Sequence, residues 1–571
     1  MIAELVAVCA AKGIKELVIS PGSRSAPLAV YFARHPEIRM HVVVDERSAA
    51  YIALGMAQQT ENIVALVCTS GTAALNYSPA IAEAFYANIP LLVITADRPP
   101  EWIDQMDGQV IHQNGLYGAH VKRCYSLPVD TRHPDAKWQF TRQISEAINL
   151  TRAALPGPVH INIPIREPFY QTLHDLPEDL FEPDCIAPGM IHEINGKCSL
   201  DQEQWEYILH SIQQSPKIVI LAGQHDYSPE LISSLKALVK HTGIALLGDL
   251  LSNLQTIPAA LVHIDTILNQ VDQDSAENLR PDLLITYGQG ILSKNVKAFF
   301  RTYAAKEHWH IQETGVVGDL LKSVTNIVRV EPKNFFHELS FGLINYQGNM
   351  DFPIHWRRLE QETLKIQENF FLENRNNYSD FVIGGRVLNS LPEESDLHLA
   401  NSMTVRYASI IGVKNNNIRV YSNRGASGID GSLSTAMGHA LTTGRLQILL
   451  IGDLSFFYDS NGLWNEGIPS NLRIIVFNNH GGNIFTMIEG PQKLSECERY
   501  FITPHQRNVA CLAKDFDLVY CRADNYGALS DVLDEFFENS GRAKVLELIT
   551  DRKMNTKIFS SYKDRFRKFY S

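Results

Sequence analysis

Short apolar runs alternate with longer stretches of helical period along most of the chain, and small or polar residues bound each run. Such alternation predicts parallel strands joined by crossover helices. In the first third the runs are Glu16–Ser20, His41–Asp45, Ile63–Cys68, Leu91–Ala96 and Val159–Ile163. Helical segments at Ala26–Arg34, Glu46–Gln59 and Thr72–Ala87 separate them. Around Pro164 to Gly196 the pattern turns polar, with Pro168, Pro177, Pro183 and Pro188, and reads as a linker. The middle third restarts with Lys217–Ala222, Ala245–Gly248, Leu283–Tyr287, His308–Gln312 and Val328–Val330. A charged helical connector follows, and the last third carries His398–Ala400, Arg419–Ser422, Leu446–Ile451, Ile474–Phe477, Leu518–Cys521 and Val545–Ile549. The expected fold is α/β, with three consecutive doubly wound parallel-sheet domains. The expected division is a first unit over 1–170, a linker over 171–205, a central unit over 206–345, a connector over 346–380 and a last unit over 381–571. No short solenoid repeat interrupts this plan.

Composition narrows the class. A length of 571 residues allows roughly three to four domains. Hydrophobic residues at 45% and charged residues at 20% fit a water-soluble globular chain. The formal charge of −12 argues against a nucleic-acid surface, which needs clustered Lys and Arg. The basic segment Arg552–Arg567 is broken by Asp564 and hydroxyl residues and reads as a solvated tail. The eight cysteines, Cys185 among them, form no CxxC pair, which suits buried free thiols in a reducing cytoplasm. Met1–Lys12 contains Glu4 and lacks a basic leader, so it reads as a first helix rather than a signal peptide. No run approaches the roughly 18 apolar residues of a membrane span.

Candidate chemistry gathers where strands end. Leu446–Ile451 runs into Gly452-Asp453-Leu454-Ser455, and Ile474–Phe477 runs into Asn478-Asn479-His480-Gly481-Gly482. Ligands in open α/β sheets sit at the carboxyl ends of strands. Asp453 and Asn479 would there present two hard oxygens suited to Mg²⁺ or Ca²⁺, with Mg²⁺ favoured beside a phosphate. A GD pair followed one βα unit later by NN resembles the diphosphate-binding motif of thiamine-diphosphate enzymes.

The first unit shows the same habit four times over. Its strands end in Ser20-Pro21-Gly22-Ser23-Arg24-Ser25, Asp45-Glu46-Arg47, Thr69-Ser70-Gly71-Thr72 and Thr95-Ala96-Asp97-Arg98-Pro99-Pro100-Glu101. Taken singly, helix capping accounts for the serines and a first-turn dipole partner for Glu46. Four such ends in succession favour an anion site at helix starts, with Arg24 as a bidentate fork.

SPGSRSAPL, DERSAAYIALGMA, TSGTAALN and TADRPPE in the first third, and YSNRGASGIDGSLSTAMG, IGDLSFFYD and NNHGGNIF in the last, resemble the family that makes the succinyl-enolpyruvyl-hydroxycyclohexene-carboxylate intermediate of menaquinone synthesis. The resemblance spans nearly the whole chain, and the Leu454-Ser455 continuation of the GD pair belongs to it.

The resemblance implies a transferase using thiamine diphosphate and a divalent metal, Mg²⁺ with Mn²⁺ as an alternative. It implies decarboxylation of 2-oxoglutarate and addition of the four-carbon acyl-anion equivalent to isochorismate. Glu46 matches the glutamate that hydrogen-bonds the cofactor's pyrimidine ring. Asp453, Asn479 and the Gly481 carbonyl match the metal ligands. Leu454 and Ser455 match diphosphate contacts, and Ile429 matches the apolar prop beneath the cofactor. Ser23, Arg24, Arg98, Gln109, Lys294, Ser402, Arg406 and Arg424 match substrate contacts, with Ile484, Phe485 and Ile488 as an apolar wall. Asn295 stands where some relatives carry Arg, and Gly108 where some carry Asn. His480 matches no required catalytic group and reads as a turn or packing residue. The same resemblance implies a homodimer or a dimer of dimers.

Two other classes compete. Another thiamine-diphosphate 2-oxoacid decarboxylase or carboligase, such as an acetolactate synthase, shares the layout but lacks the Ser-Arg-Ser turn and the Asp-Arg-Pro-Pro segment. A scaffold that had lost catalysis predicts erosion of Glu46, Asp453 or Asn479, and all three stand.

Overall fold

The computed structural model describes residues 1–571 except 168, 171–172, 174–175, 177–180, 182–189, 270, 272, 414–416, 466, 489 and 571, with backbone alone at 567–570. Pro168, Pro177, Pro183, Pro188 and Cys185 therefore lie outside the described residues.

Three parallel sheets form in succession. The first has β1 (Glu16–Ile19), β2 (Arg39–Val42), β3 (Val64–Cys68), β4 (Leu91–Asp97), β5 (Cys124–Ser126) and β6 (Val159–Pro164), in the order β2-β1-β3-β4-β6-β5. The second has β7 (Ile218–Ala222), β8 (Ile244–Gly248), β9 (Leu283–Tyr287), β10 (Glu307–Ile311) and β11 (Asn326–Val328), in the order β11-β10-β9-β7-β8. The third has β12 (Ser395–Leu399), β13 (Arg419–Tyr421), β14 (Leu446–Gly452), β15 (Leu472–Asn478), β16 (Val519–Ala523) and β17 (Lys544–Ile549), in the order β13-β12-β14-β15-β17-β16. First and third sheets share one strand order. In each, the chain reverses direction across the sheet beside its first strand, which opens a crevice at the carboxyl ends of β1 and β3 and of β12 and β14.

Most expected strands form within a residue or two, because their apolar runs are buried on both faces. The exceptions have local causes. The strand expected over His41–Asp45 ends at Val42; Val43 N makes the last ladder bond, to the Ile19 carbonyl at 3.0 Å, and Val43 also forms an antiparallel bridge with Asn465. Asp45 instead caps the next helix, accepting from Ser48 N at 3.2 Å. The helix expected over Thr72–Ala87 is two helices, Thr72–Asn76 and Ser78–Ala87, with Pro79 in the first turn of the second. Strand β5 is an additional edge strand of three residues.

Two glycines join the first unit to the last. A Cβ on Gly55 would lie 2.1 Å from the Thr435 carbonyl oxygen, and one on Gly438 would lie 2.1 Å from that of Ile52. Helices Glu46–Thr60 and Ser432–Thr442 thus touch backbone to backbone, and a single hydrophobic cluster spans both units.

The C-terminal segment corrects an expectation. Arg552–Tyr570 is a helix, and Ile558, Phe559, Tyr562 and Phe566 are buried against Phe370 and Phe381. It is amphipathic and docked, with Lys553 and Lys557 exposed, rather than a solvated tail. The thiols divide too: Cys9, Cys68 and Cys497 are buried, whereas Cys198 and Cys511 are exposed. No described helix is long and apolar enough to cross a membrane.

Candidate active site

The carboxyl edge of the third sheet carries the densest chemistry. β14 ends at Gly452, and Asp453 opens the next helix with its carboxylate buried. Asp453 Oδ1 accepts from Leu454 N at 2.7 Å, and Oδ2 accepts from Gly481 N at 2.9 Å and lies 3.2 Å from His505 Nε2. One strand over, Asn479 is also buried. Its Nδ2 donates to Asp380 Oδ2 at 2.8 Å, while its Oδ1 has no partner. Asp380 is held in turn by Thr550 Oγ1 at 2.6 Å and by its own N–H on Asn555 Oδ1 at 2.8 Å.

This arrangement fixes the Asn479 amide with its oxygen facing away from Asp380. A buried amide oxygen left without a donor costs free energy comparable to a lost hydrogen bond. A hard cation satisfies it directly. Asp453 keeps lone pairs beyond those its two N–H donors use. Gly481 has φ 151°, and a side chain there would meet the Ile502 carbonyl at 2.8 Å. The donor set fits Mg²⁺ or Mn²⁺.

Ser455 Oγ donates to the Ile429 carbonyl at 2.7 Å, which ties the half-exposed Ile429 to the Asp453 turn. Leu454 N and the Ser455 hydroxyl proton already have partners, so a diphosphate contact from either requires an exchange of hydrogen bonds. His480 sits at φ 61° with its N–H on Asn478 Oδ1 at 3.2 Å, as expected of a turn residue.

The loop carrying Arg424 and Ile429 is tethered by the first unit. Glu83, 1% exposed, accepts from the backbone N–H groups of Gly425 (2.6 Å), Ala426 (2.7 Å) and Ser427 (3.1 Å). Arg424 Nη1 donates to Asn401 Oδ1 at 2.7 Å, and Asn401 Nδ2 donates to the Gly428 carbonyl at 2.6 Å. Ser402, at φ 77°, precedes helix Met403–Ile411, and Arg406 Nη1 donates to its carbonyl at 2.5 Å. Burial pulls both the Arg406 and Arg424 guanidiniums below their ordinary value. An anion beside them would recover the hydration they have lost. Arg406 lines a cleft of about 340 Å³ with Lys294, Ile484 and Ile488. Phe485 turns aside and packs on Phe501, ring centroids 5.5 Å apart.

A second cluster occupies the carboxyl edge of the first sheet. Arg24 is buried, and its Nη2 lies 2.5 Å from Glu167 Oε1. Arg98 Nη1 lies 3.4 Å from the same oxygen, and its Nη2 donates to the Gly108 carbonyl at 3.3 Å. Ser23 Oγ is 3.0 Å from Tyr170 Oη. Gln109 is exposed, at φ 56°, with its backbone against Gly71. Burial, and then the like charge of Arg98, lower the Arg24 guanidinium. Half-buried Glu46 is the first helical residue after the Asp45 cap. Its neighbours fix the helix start: Asp45 Oδ2 accepts from Asn461 Nδ2 at 2.6 Å, and Arg47 Nη2 donates to the Tyr458 carbonyl at 2.7 Å. Among the described residues, no hydrogen bond or ion pair joins Ser23, Arg24, Glu46, Arg98 or Gln109 to Asp453 or Asn479.

Residues 2–117 match the family described as "Thiamine pyrophosphate enzyme, N-terminal TPP binding domain", and residues 190–339 match "Middle domain of thiamine pyrophosphate". A 2-succinyl-5-enolpyruvyl-6-hydroxy-3-cyclohexene-1-carboxylate synthase of Cytophaga hutchinsonii is 40% identical over 98% of this chain and 97% of its own length. Namesakes from Flavobacterium johnsoniae and Bacteroides thetaiotaomicron are 37% and 36% identical, each over 98% of this chain and at least 97% of its own. The chain belongs to the 2-succinyl-5-enolpyruvyl-6-hydroxy-3-cyclohexene-1-carboxylate synthase family.

Several residues that shape the site in this synthase-family chain escape sequence reasoning. Glu83 is a lone acid in the apolar helical segment Ile81–Phe85, a signal that a partner must exist somewhere. Asp380 reads locally as a first-turn helix acid and gives no sign of Asn479. Glu167 lies in the approach to the linker, and His505 has no motif around it.

Proposed function

We propose that this chain is a thiamine-diphosphate-dependent transferase that decarboxylates 2-oxoglutarate and adds the four-carbon unit to isochorismate in menaquinone biosynthesis. The observation that carries the reading is the pairing of Asp453 with Gly481 beside the partnerless Asn479 oxygen, with Ile484, three residues after Gly481, in the wall of the cleft lined by Arg406 and Lys294.

Thiamine diphosphate, when bound, supplies the carbanion chemistry that no protein side chain provides. The chain's own residues bind and orient. Asp453, Asn479 and the Gly481 carbonyl would hold Mg²⁺ or Mn²⁺, and the Asp453–Ser455 turn would hold the diphosphate. Ile429 would support the cofactor. Glu46 would hydrogen-bond its pyrimidine ring. Arg24, Arg98, Lys294, Arg406 and Arg424 hold substrate carboxylates, Ser23, Gln109 and Ser402 supply polar contacts, and Ile484 and Ile488 exclude water.

The active unit in this reading is a cytoplasmic homodimer, alone or doubled. The family resemblance supports it, since there the pyrimidine-binding unit of one copy faces the diphosphate-binding unit of the next. The deciding experiment is an assay with isochorismate, 2-oxoglutarate, thiamine diphosphate and Mg²⁺. Product formation that requires all four is expected. CO₂ release from pyruvate but not from 2-oxoglutarate would overturn the reading in favour of another 2-oxoacid decarboxylase.

A further inference from the structure

A buried polar network lies behind the Arg24–Arg98 cluster of the first sheet. At its centre is Asn162, on β6 opposite Thr95 of β4 and 2% exposed. Its Nδ2 donates to Asp97 Oδ2 at 2.8 Å. Its Oδ1 accepts from Thr95 Oγ1 at 2.8 Å and from Gln113 Nε2 at 3.0 Å. Two branches leave this amide. On one, Asp97 Oδ1 accepts from Arg98 N at 2.8 Å. On the other, Gln113 Oε1 accepts from Gly71 N at 2.8 Å, while Gln113 Nε2 also donates to the Ala96 carbonyl at 3.1 Å.

Donors and acceptors here admit one arrangement. The Thr95 hydroxyl proton goes to Asn162, so the Thr95 oxygen accepts from His160 Nε2, 2.7 Å away. Burial pushes the His160 imidazole down to about 3, which suits a neutral ring protonated at Nε2. Burial raises the Asp97 carboxyl, and the donors from Asn162 and Arg98 N oppose that rise. Turning the Asn162 amide over would set its NH₂ group against the donors of Thr95 and Gln113 and its oxygen against Asp97. A buried network with its members paired specifies a single geometry, and breaking one link leaves a desolvated group without a partner.

Both branches end at residues of the substrate site. Arg98 is one of them. Gly71 supports another: it has φ 86°, and a Cβ there would lie 3.1 Å from Gln109 Cα. Arg98 Nη2 donates to the Gly108 carbonyl at 3.3 Å. The peptide that joins Gly108 to Gln109 is thus held between the two branch ends.

We infer that Asn162 is a positioning residue for the substrate site, setting Arg98 through Asp97 and Gln109 through Gln113 and Gly71. The inference rests on the proposed function and adds β6 to the elements that shape recognition. Buried as it is, Asn162 acts through these neighbours rather than by touching substrate.

The test exchanges donor and acceptor within the Asn162–Asp97 pair, in the full-length enzyme with thiamine diphosphate and Mg²⁺. Asp97→Asn keeps an acceptor for Arg98 N but turns an NH₂ group onto Asn162 Nδ2. It should raise the KM of isochorismate or of 2-oxoglutarate by about tenfold, as for loss of one buried hydrogen bond, with kcat and the other KM little changed. Adding Asn162→Asp restores a donor–acceptor pair and leaves the other bonds of the network in place. The KM of the double variant should return to within about twofold of wild type. A merely structural role predicts a lower Tm without this split or this rescue. Unchanged KM values in Asp97→Asn, or a defect that Asn162→Asp does not repair, would overturn the inference. Should Asp97→Asn not fold, Gln113→Glu, which keeps the acceptor for Gly71 N and removes the donor to Asn162, is read for the same KM. Hydrogen exchange reads the coupling without turnover. In Asn162→Leu the Gly71 and Arg98 amides should exchange roughly tenfold faster than in wild type, and unaltered exchange at both would refute the coupling. Wild-type enzyme inactive with both substrates, yet showing that exchange response on substitution, would defeat the proposed function instead.

Discussion

Glu83→Gln offers a sharp test of how the first unit holds the Arg424–Ile429 loop of the last. The carboxylate is 1% exposed and accepts three backbone N–H groups, from Gly425 at 2.6 Å, Ala426 at 2.7 Å and Ser427 at 3.1 Å. A glutamine amide keeps the shape but replaces one accepting oxygen with an NH₂ group. At least one loop N–H then loses its acceptor and faces a donor. Oε1 serves Gly425 alone and Oε2 serves Ala426 and Ser427, so the amide would turn to keep the pair and lose the Gly425 bond. Loss of a charged acceptor by a half-buried donor costs about 2 kcal/mol, or roughly thirtyfold in the equilibrium between docked and released loop. Part of the original bond energy offsets burial of the carboxylate, whose effect shows in a raised Glu83 carboxyl. The cost should therefore fall on the loop rather than on the whole chain. Hydrogen exchange of the Gly425, Ala426 and Ser427 amides, followed by mass spectrometry, reads this local opening. Exchange should quicken by roughly thirtyfold while the core strands β14 and β15 stay protected, and KM should rise because Arg424 and Ile429 ride on the loop. Unaltered exchange at these three amides would refute the tether.

Other expectations follow from the same contacts. Asp380→Asn should weaken Mg²⁺-dependent binding of thiamine diphosphate by about tenfold, since Asp380 orients the Asn479 amide; titration calorimetry checks this, and unchanged affinity would remove Asp380 from the site. Mixing Glu46→Gln and Asp453→Ala variants, each inactive alone, should restore up to about a quarter of wild-type activity if each site pairs two copies, and none if a site forms within one chain. Gly438→Ala places a Cβ 2.1 Å from the Ile52 carbonyl oxygen. It should destabilise the helix pair by about 1–3 kcal/mol, seen as a lower Tm in scanning calorimetry, and an unchanged Tm would show that the helices can part freely. Burial pushes the Asp459 carboxyl up to about 7 from the ordinary 3.8, so the folded chain holds a proton that the unfolded chain releases. Its contribution to stability is full below the unfolded value and is lost as pH rises from there to about 7. Asp459→Asn retains an acceptor for Ser434 and should flatten that slope in urea unfolding across this window, whereas a slope as steep as wild type would assign the dependence elsewhere.

The sequence by itself determined the strands, the parallel sheets and the residues at their carboxyl ends. These depend on short-range pattern: buried runs of β-forming residues, glycine where a turn requires it, and the Asp453 and Asn479 oxygens one βα unit apart. It also identified the family, because the motifs appear in order along nearly the whole chain. Tertiary structure decided which distant groups meet. Asp380 reaches Asn479 across 99 positions, and Glu83 reaches the Arg424–Ile429 loop across more than 340. Neither pairing leaves a local signal, since a helix acid looks the same whether it faces solvent or a backbone nest. The docking of Arg552–Tyr570 was hidden for a related reason. Its apolar residues are diluted by charge along the chain, and they form a face only once the helix winds and meets Phe370 and Phe381. That docking turns a basic segment into part of the wall of the cleft that Arg406 lines.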